Sequence, residues 1–200
     1  MDRQRKDFQH GKFNRRAQPL IEAGVCYGRL DIAADAQATL HCAEALARLL
    51  PPGIAVVTSP LQRCEQLAHV LLWLRPDLTF KTDARLREMG FGYWEGRRWD
   101  AIGPAALDAW VADFARHRPG GGESVQAFMR RVAGIWDEVM DKVWDGGLDG
   151  THAPAADTAW ITHAGVIRAA TLLHRGLRQI ARADQWPTAT PGFGAWTVLT

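Results

Sequence analysis

Short apolar runs alternate with longer segments of helical periodicity along most of the chain. Runs typical of buried strands lie at residues 54–57, 78–80, 159–161 and 194–199. Apolar positions repeat with helical spacing over residues 36–50, 60–74, 104–116, 123–143 and 166–174. Strands that alternate with helices predict a single α/β domain with three α/β/α layers and a mostly parallel central sheet.

The first 16 residues depart from this pattern. Residues 1–14 are polar and predict a basic, poorly ordered segment, so that the domain spans residues 15–200. Six Lys or Arg and two Asp lie in residues 1–16, whereas the other 184 residues carry 18 basic and 20 acidic side chains. Such a run is typical of a solvated tail, and a nucleic-acid partner is not favoured, because the charge run is its only support.

The composition and the cysteine content favour a protein of the reducing cytoplasm. With 47% hydrophobic residues in 200, the chain can bury one substantial core. Its apolar runs are too short to span a membrane, and its start lacks the apolar segment of a secretory signal. Cys26, Cys42 and Cys64 are widely spaced and suggest neither disulfides nor a zinc site. We therefore expect a cytoplasmic protein without a membrane partner, metal or cofactor, and the sequence favours no particular oligomeric state.

One junction carries the strongest chemical signal. The apolar run at 159–161 leads into Thr162-His163-Ala164-Gly165, and a helical pattern follows. His163 should therefore lie at the carboxyl end of a strand, where open α/β sheets bind ligands. Main-chain N–H groups at the start of the next helix suit an anion, and Gly165 allows a ligand to approach the backbone. A histidine of the core is the alternative interpretation.

A second junction has the same layout. The run at 54–57 leads into Thr58-Ser59-Pro60, which predicts a helix with Ser59 as its cap and Pro60 in its first position. Arg63 then falls in the first turn, where it could hold a phosphate or a carboxylate with a forked pair of hydrogen bonds. An ordinary surface arginine is the alternative.

The irregular segment 86–97 offers a carboxyl group. Glu88 lies beside Met89 and Phe91, and a carboxyl group in a partly apolar loop can donate a proton to a substrate. Most loop glutamates are simply solvated, so this feature is weak alone. Glu95 is a rival candidate, but its surroundings are typical of a packing turn.

Two tryptophans flank this acidic loop. Trp94 and Trp99 could line a pocket for a substrate that carries a ring. Plain packing of both side chains is the alternative, and it is the more frequent outcome for such residues.

Six segments in the right order resemble the histidine phosphatase family, also called phosphoglycerate-mutase-like. The resemblance covers residues 15–199, and the Cys-Tyr-Gly and Ser-Pro-Leu-x-Arg-Cys forms are most similar to the bacterial branch often assigned as α-ribazole phosphatase. The matching segments are Arg15-x-Ala-Gln-Pro, Tyr27-Gly-Arg-Leu-Asp31, Thr58-Ser-Pro-Leu-x-Arg-Cys64, Leu86-x-Glu-x-x-x-Gly-x-Trp-Glu-Gly96, Pro119-Gly-Gly-Gly-Glu-Ser124 and Thr162-His-Ala-Gly165.

The resemblance implies a metal-free phosphoryl transfer in two steps through a phosphohistidine. The substrate would be a small phosphorylated metabolite, with α-ribazole 5′-phosphate as one candidate. By position, Arg15 and Arg63 would hold phosphate oxygens and His163 would stabilise the transferring group. Glu88 would protonate the leaving oxygen and then activate water. The residues implied to border the substrate are Tyr27, Arg29 and Glu123.

The chain departs from the family where the nucleophile should be. The family reads Arg-His, whereas this chain reads Arg15-Arg16. A guanidinium stays protonated and has no lone pair for attack on phosphorus. Residues 11–14 also replace the apolar first strand of the family with a polar sequence, which predicts a degraded strand.

Two hypotheses account for these departures. In the first, a frameshift, a wrong start or a reading error has altered the N-terminus of an active phosphatase. In the second, the altered start is genuine and the protein is an inactive phosphate binder. The first is favoured because every departure falls within the same 16 residues.

Overall fold

The computed structural model describes residues 12–15, 17–144 and 158–199, with side chains over 17–140 and 158–199. Strands and helices alternate through these residues, as the apolar pattern predicts. In chain order the elements are β1 (Lys12–Arg15), α1 (Ala36–Leu49), β2 (Ala55–Thr58), α2 (Gln62–Leu74), β3 (Thr79–Thr82), α3 (Pro104–Ala112), α4 (Val125–Trp144), β4 (Thr158–Thr162), α5 (Ala164–His174) and β5 (Trp196–Val198).

The sheet contains five strands in the order β3-β2-β4-β1-β5. Neighbours from β3 to β1 run parallel, and β5 pairs antiparallel with β1 at one edge. The expected mostly parallel sheet is therefore confirmed. Because β2, β4 and β1 are adjacent and parallel, their carboxyl ends meet at one edge of the sheet.

Helices cover both faces of the sheet, and β4 shows how the sequence divides them. Ala159 and Ile161 pack with apolar residues of α1 and α2, such as Leu46 and Leu71. Trp160 points to the other face, into the cluster built by α4 and α5. This alternation follows the two-residue period of a strand. It yields the predicted three-layer α/β/α architecture.

Some element boundaries differ from those predicted. The helix expected over 104–116 ends at Ala112, because Asp113 leaves the helical conformation, with φ −128° and ψ 57°. On α1 the predicted apolar face is only partly buried, since Leu40 is 40% exposed. The loop predicted between α4 and β4 lies outside the described residues, apart from its flanking helix and strand ends.

The first strand forms, which corrects the expectation that it is degraded. Its main chain pairs in parallel with β4, with Arg15 opposite Thr162, and antiparallel with β5. Strand ladders use N–H and C=O groups of the main chain, so neighbours on both sides can order a polar sequence. The predicted domain boundary after residue 14 consequently falls inside β1. Residues 1–11, for which the sequence also predicts poor order, lie outside the described residues.

Two short turns at 92–94 and 119–121 pack closely against each other beside the loop that carries Glu88. Gly120 adopts φ +58°, and a Cβ placed there would overlap the carbonyl oxygen of Phe91 and lie 2.9 Å from Trp94 Cγ. Only glycine fits this contact without a main-chain shift. Gly121, with φ +71°, has open space around the same position.

We predict that Gly120→Ala lowers the free energy of unfolding more than Gly121→Ala does. Both alanines occupy the left-handed region, which costs about 1–2 kcal/mol. The overlap at position 120 should add about 1–3 kcal/mol. Urea unfolding of the two variants and the unchanged chain measures the difference. Equal losses would show that the turns separate readily.

Candidate active site

His163 occupies the predicted junction between a strand and a helix. β4 ends at Thr162, and His163 is the extended residue before α5, with φ −122° and ψ 164°. The imidazole is fully buried. Its Nε2 atom shares a 2.8 Å hydrogen bond with Ser59 Oγ and lies 3.6 Å from Cys64 Sγ. Since Ser59 directly follows β2, the carboxyl ends of β2 and β4 are joined through side chains.

Ser59 does not cap α2, which corrects the prediction made for it. The helix begins at Gln62 rather than Pro60, and Leu61 is the residue before it, with no side-chain cap bond. The Ser59 hydroxyl accepts a 3.4 Å hydrogen bond from the Leu61 N–H and contacts His163 instead. Sequence reasoning missed this role because the contact joins residues 104 positions apart.

Arg63 lies in the first turn of α2, as predicted, and its side chain is fully buried. Nη1 donates to the Leu30 carbonyl at 2.6 Å and Nη2 donates to the Gly28 carbonyl at 2.7 Å. The guanidinium carbon also lies 5.5 Å from the centre of the Tyr27 ring, over its face. Arg63 therefore fixes the loop at 27–31 beside the start of α2, which rules out the surface-arginine alternative.

The Glu88 carboxyl group reaches the start of α5. Oε2 accepts a 3.1 Å hydrogen bond from Gly165 N, and Oε1 accepts a 3.0 Å bond from Met89 N. A Cβ at Gly165 would overlap this carboxylate, so the glycine permits the approach. Thr162 holds the same loop by donating a 3.0 Å hydrogen bond to the Leu86 carbonyl. The Glu88 carboxyl group therefore contacts the first turn of α5, two residues after His163, instead of lying free in solvent.

Arg131 on α4 anchors the loop that carries Glu88, and sequence reasoning missed it. Its guanidinium donates to the carbonyls of Arg85, Arg87 and Glu88 at 2.6, 2.8 and 3.0 Å. It also forms a forked ion pair with Glu123 at 2.8 and 2.9 Å. The available signal was an arginine on the apolar stripe of a strongly amphipathic helix, where a charge needs partners.

Both oxygens of Glu123, predicted to border the substrate, are bound by arginines. Besides the pair with Arg131, Oε2 accepts a 3.0 Å bond from the exposed Arg29. These bonds make Glu123 a connection between α4 and the loop of Tyr27 and Arg29. Its role as a substrate contact stays a prediction, as do those of Tyr27 and Arg29.

Glu95 lies in a packing turn, as its surroundings in the sequence predict. Its Oε1 atom accepts hydrogen bonds from Phe91 N at 2.8 Å and from Arg29 N at 2.9 Å.

The two tryptophans beside the acidic loop have different surroundings. Trp94 is 2% exposed and packs in a small core with Cys26 and Ile102. Trp99 lines a cavity next to Glu88. Plain packing is therefore correct for Trp94, whereas Trp99 fits the prediction of a pocket wall.

Arg15 reaches the same edge of the sheet through its main chain. It is the last residue of β1 and pairs in register with Thr162, the residue before His163. Arg16 lies outside the described residues. The register brings the main chain of Arg15 next to the end of β4.

Two further findings concern the described ranges as a whole. Across them, no three or more His, Cys, Asp or Glu side chains are grouped so as to hold a metal ion. None of the described helices combines the length and apolar composition that crossing a membrane requires.

Comparison with known proteins places the chain in a family. The sequence model of the histidine phosphatase superfamily (branch 1) matches residues 22–190 of this chain. The matched range therefore starts after Arg15 and Arg16. The chain is 34% identical over 161 residues to a glucosyl-3-phosphoglycerate phosphatase of Mycolicibacterium vanbaalenii, covering 78% of this chain and 67% of that protein.

Solved structures agree with this placement. A mycobacterial glucosyl-3-phosphoglycerate phosphatase in complex with inorganic phosphate is similar with a TM-score of 0.71 and 26% identity, over 93% of this chain and 86% of that one. The α-ribazole phosphatase of Shigella flexneri has a TM-score of 0.73 over 92% of this chain and 87% of its own. At 22% identity, that likeness supports the fold alone.

We predict that Arg131→Met lowers the free energy of unfolding by about 3 kcal/mol, because it leaves Glu123 and three carbonyls without their shared donor. The pair is largely buried, with side-chain exposures of 17% for Arg131 and 11% for Glu123. Arg178→Met is the matched control, since its forked pair with Asp137 is exposed at 59% and 41%. Chemical unfolding should show a much smaller loss for it. Similar losses would mean that Arg131 is not an anchor.

Proposed function

The chain belongs to the histidine phosphatase superfamily, and on that premise we propose that it carries a site for binding and hydrolysing a small phosphomonoester, which turns over when an imidazole stands at position 16. One observation carries the proposal. The Glu88 carboxyl group binds Gly165 N at the start of α5, beside His163, and His163 contacts Cys64, the neighbour of Arg63. A carboxyl group, an imidazole and a turn that carries a guanidinium therefore meet at the edge where parallel strands end.

Phosphoryl transfer requires positive groups around the phosphate oxygens and an in-line nucleophile. In this proposal Arg15 and Arg63 donate to those oxygens, and His163 stabilises charge on the transferring group. Glu88 gives its proton to the leaving oxygen as the bond from phosphorus to that oxygen breaks. It then takes a proton from the water that attacks the phosphoenzyme, which restores the acid.

The nucleophile is the position at which this chain is unusual. The family resemblance places an imidazole directly after Arg15, where this chain has Arg16. Attack by an imidazole nitrogen forms a bond to phosphorus, and a guanidinium cannot make it. Arg16 therefore favours a second candidate function, a phosphate or phospho-ligand binder that no longer turns over.

Two substrates are candidates for an active form. The finer sequence resemblance suggests α-ribazole 5′-phosphate, and the name of the curated relative suggests glucosyl-3-phosphoglycerate. Both are phosphomonoesters, so one arrangement of Arg15, Arg63, His163 and Glu88 serves either. The groups that surround the leaving alcohol decide between them.

We predict that Arg16→His restores turnover of an aryl phosphate in the presence of a metal chelator, whereas the chain as written shows none. Only the variant carries a nucleophilic imidazole beside Arg15. Release of para-nitrophenolate measures the rate. Adding Glu88→Gln to Arg16→His keeps the acceptor of the Gly165 N–H but removes the proton, and should lower the rate by about 100-fold or more.

The same assay separates the two candidate functions. For a binder, inorganic phosphate should raise the thermal midpoint of the unchanged chain, because a ligand that binds only the folded state stabilises it. Turnover by the unchanged chain at the rate of Arg16→His would overturn the assignment of position 16. If Arg16→His shows no turnover and phosphate does not stabilise the unchanged chain, the proposed function as a whole is contradicted.

A further inference from the structure

A cavity of about 340 Å³ adjoins Glu88 and Gly165 on the side facing α3 and α4. Its size lies in the range of small-molecule pockets. Since Glu88 forms part of its wall, a group inside it lies next to the proposed proton donor. If the proposed function holds, this is the space for the alcohol portion of the substrate, and the inference below rests on that function.

Six aromatic side chains line the wall. Phe91 packs edge-on against Trp99, with ring centres 5.4 Å apart, and against Trp110 at 5.8 Å. Trp110 stacks on Phe114 at 5.5 Å and 20°. Phe114 in turn contacts Trp186 at 6.3 Å. Because each ring is held by its neighbours, the wall presents fixed flat surfaces, which suit a flat apolar partner.

Two polar groups in this wall lack partners in the part of the chain that the structure describes. They are Nε of Arg168 and Nε1 of Trp110, both buried. Arg168 lies three residues after Gly165, on the same face of α5. Its Nη2 donates to the Thr188 carbonyl at 3.1 Å, and it forms no ion pair within the described ranges.

The Arg168 charge is poorly solvated where it lies. Burial lowers the pKa of its guanidinium, and the nearby Glu88 only partly offsets this. A half-buried cation with no ion-pair partner among the described residues and a buried N–H without an acceptor each cost free energy. An anionic acceptor in the cavity would relieve both costs.

We propose that the cavity binds the alcohol portion of the substrate as a flat aromatic ring system that carries an anionic acceptor, such as a carboxylate. The ring lies among Phe91, Trp99 and Trp186, and the acceptor is bound by Arg168 and the Trp110 N–H. The lining supplies few other polar side chains, chiefly Tyr27 and Glu88. The hydroxyl groups of a hexose would find few hydrogen-bond partners in this lining, so a ring system without hydroxyl groups fits it better.

Calorimetric titration of the unchanged chain with naphthoate tests this without requiring turnover. Two comparison probes are naphthalenemethanol, which has the ring without the charge, and glucuronate, which has a carboxylate on a sugar. We expect naphthoate to bind at one site, about tenfold or more tightly than the neutral alcohol. Glucuronate should not bind measurably.

Variants identify the binding residues. Arg168→Met should weaken naphthoate about tenfold and leave naphthalenemethanol unchanged, because only the anion uses the charge. Trp110→Phe keeps a ring but removes the N–H, and it should weaken naphthoate by a smaller factor. Arg175→Met is the matched control, since Arg175 is exposed at the end of the same helix. It should have no effect.

The outcomes separate this inference from the proposed function. Absence of naphthoate binding, tighter binding of glucuronate, or equal affinity in Arg168→Met and Arg175→Met would overturn the inference, even if Arg16→His hydrolyses aryl phosphates. Binding of naphthoate that depends on Arg168 would support the cavity's ligand class, even if Arg16→His is inert and the proposed hydrolysis fails.

Discussion

The shared edge at which β2, β4 and β1 end is the constraint on which the candidate site depends. Parallel strands that are neighbours must finish on the same side, so Ser59, His163 and the main chain of Arg15 converge there. The fully buried 2.8 Å hydrogen bond between Ser59 and His163 links the end of β2 to the end of β4. Because this bond holds Nε2, it orients the imidazole relative to the start of α5.

Charged side chains then fasten the loops to this edge. Arg63 binds carbonyls of the loop at 27–31, and Arg131 binds three carbonyls around Glu88. Each of these arginines is largely or wholly buried and donates hydrogen bonds to main-chain oxygens of a loop, which need partners where water is excluded. The acid and the proposed phosphate-binding turn are thereby placed by long-range contacts, not by the conformational preferences of the loops.

Local signals in the sequence were sufficient for the elements and for the junctions. The apolar run before His163 and the one before Arg63 predicted strands that pass into helices, and the structure has both. Contacts between distant segments could not be read in this way. Arg131 contacts residues 43 to 46 positions away, and Ser59 contacts a residue 104 positions away. Contacts over such separations produce no periodic pattern in the sequence.

The first strand forms although its local sequence does not predict a strand. Residues 12–15 have the composition of a poor central strand, yet their main chain is paired on both sides by β4 and β5. Pairing supplied by the neighbours outweighs the local preference of four residues. A polar sequence therefore still brings the main chain of Arg15 to the edge that holds His163.

The central claim is that position 16 is the point of attack in an otherwise complete phosphoryl-transfer site. Mass spectrometry of Arg16→His, quenched under alkaline conditions during turnover of an aryl phosphate, tests it most directly. We expect a phosphoryl group on the imidazole introduced at position 16, and none on the unchanged chain treated identically. A phosphoryl group on Ser59, Cys64 or another nucleophile would contradict the claim, because the reaction would then use a different point of attack.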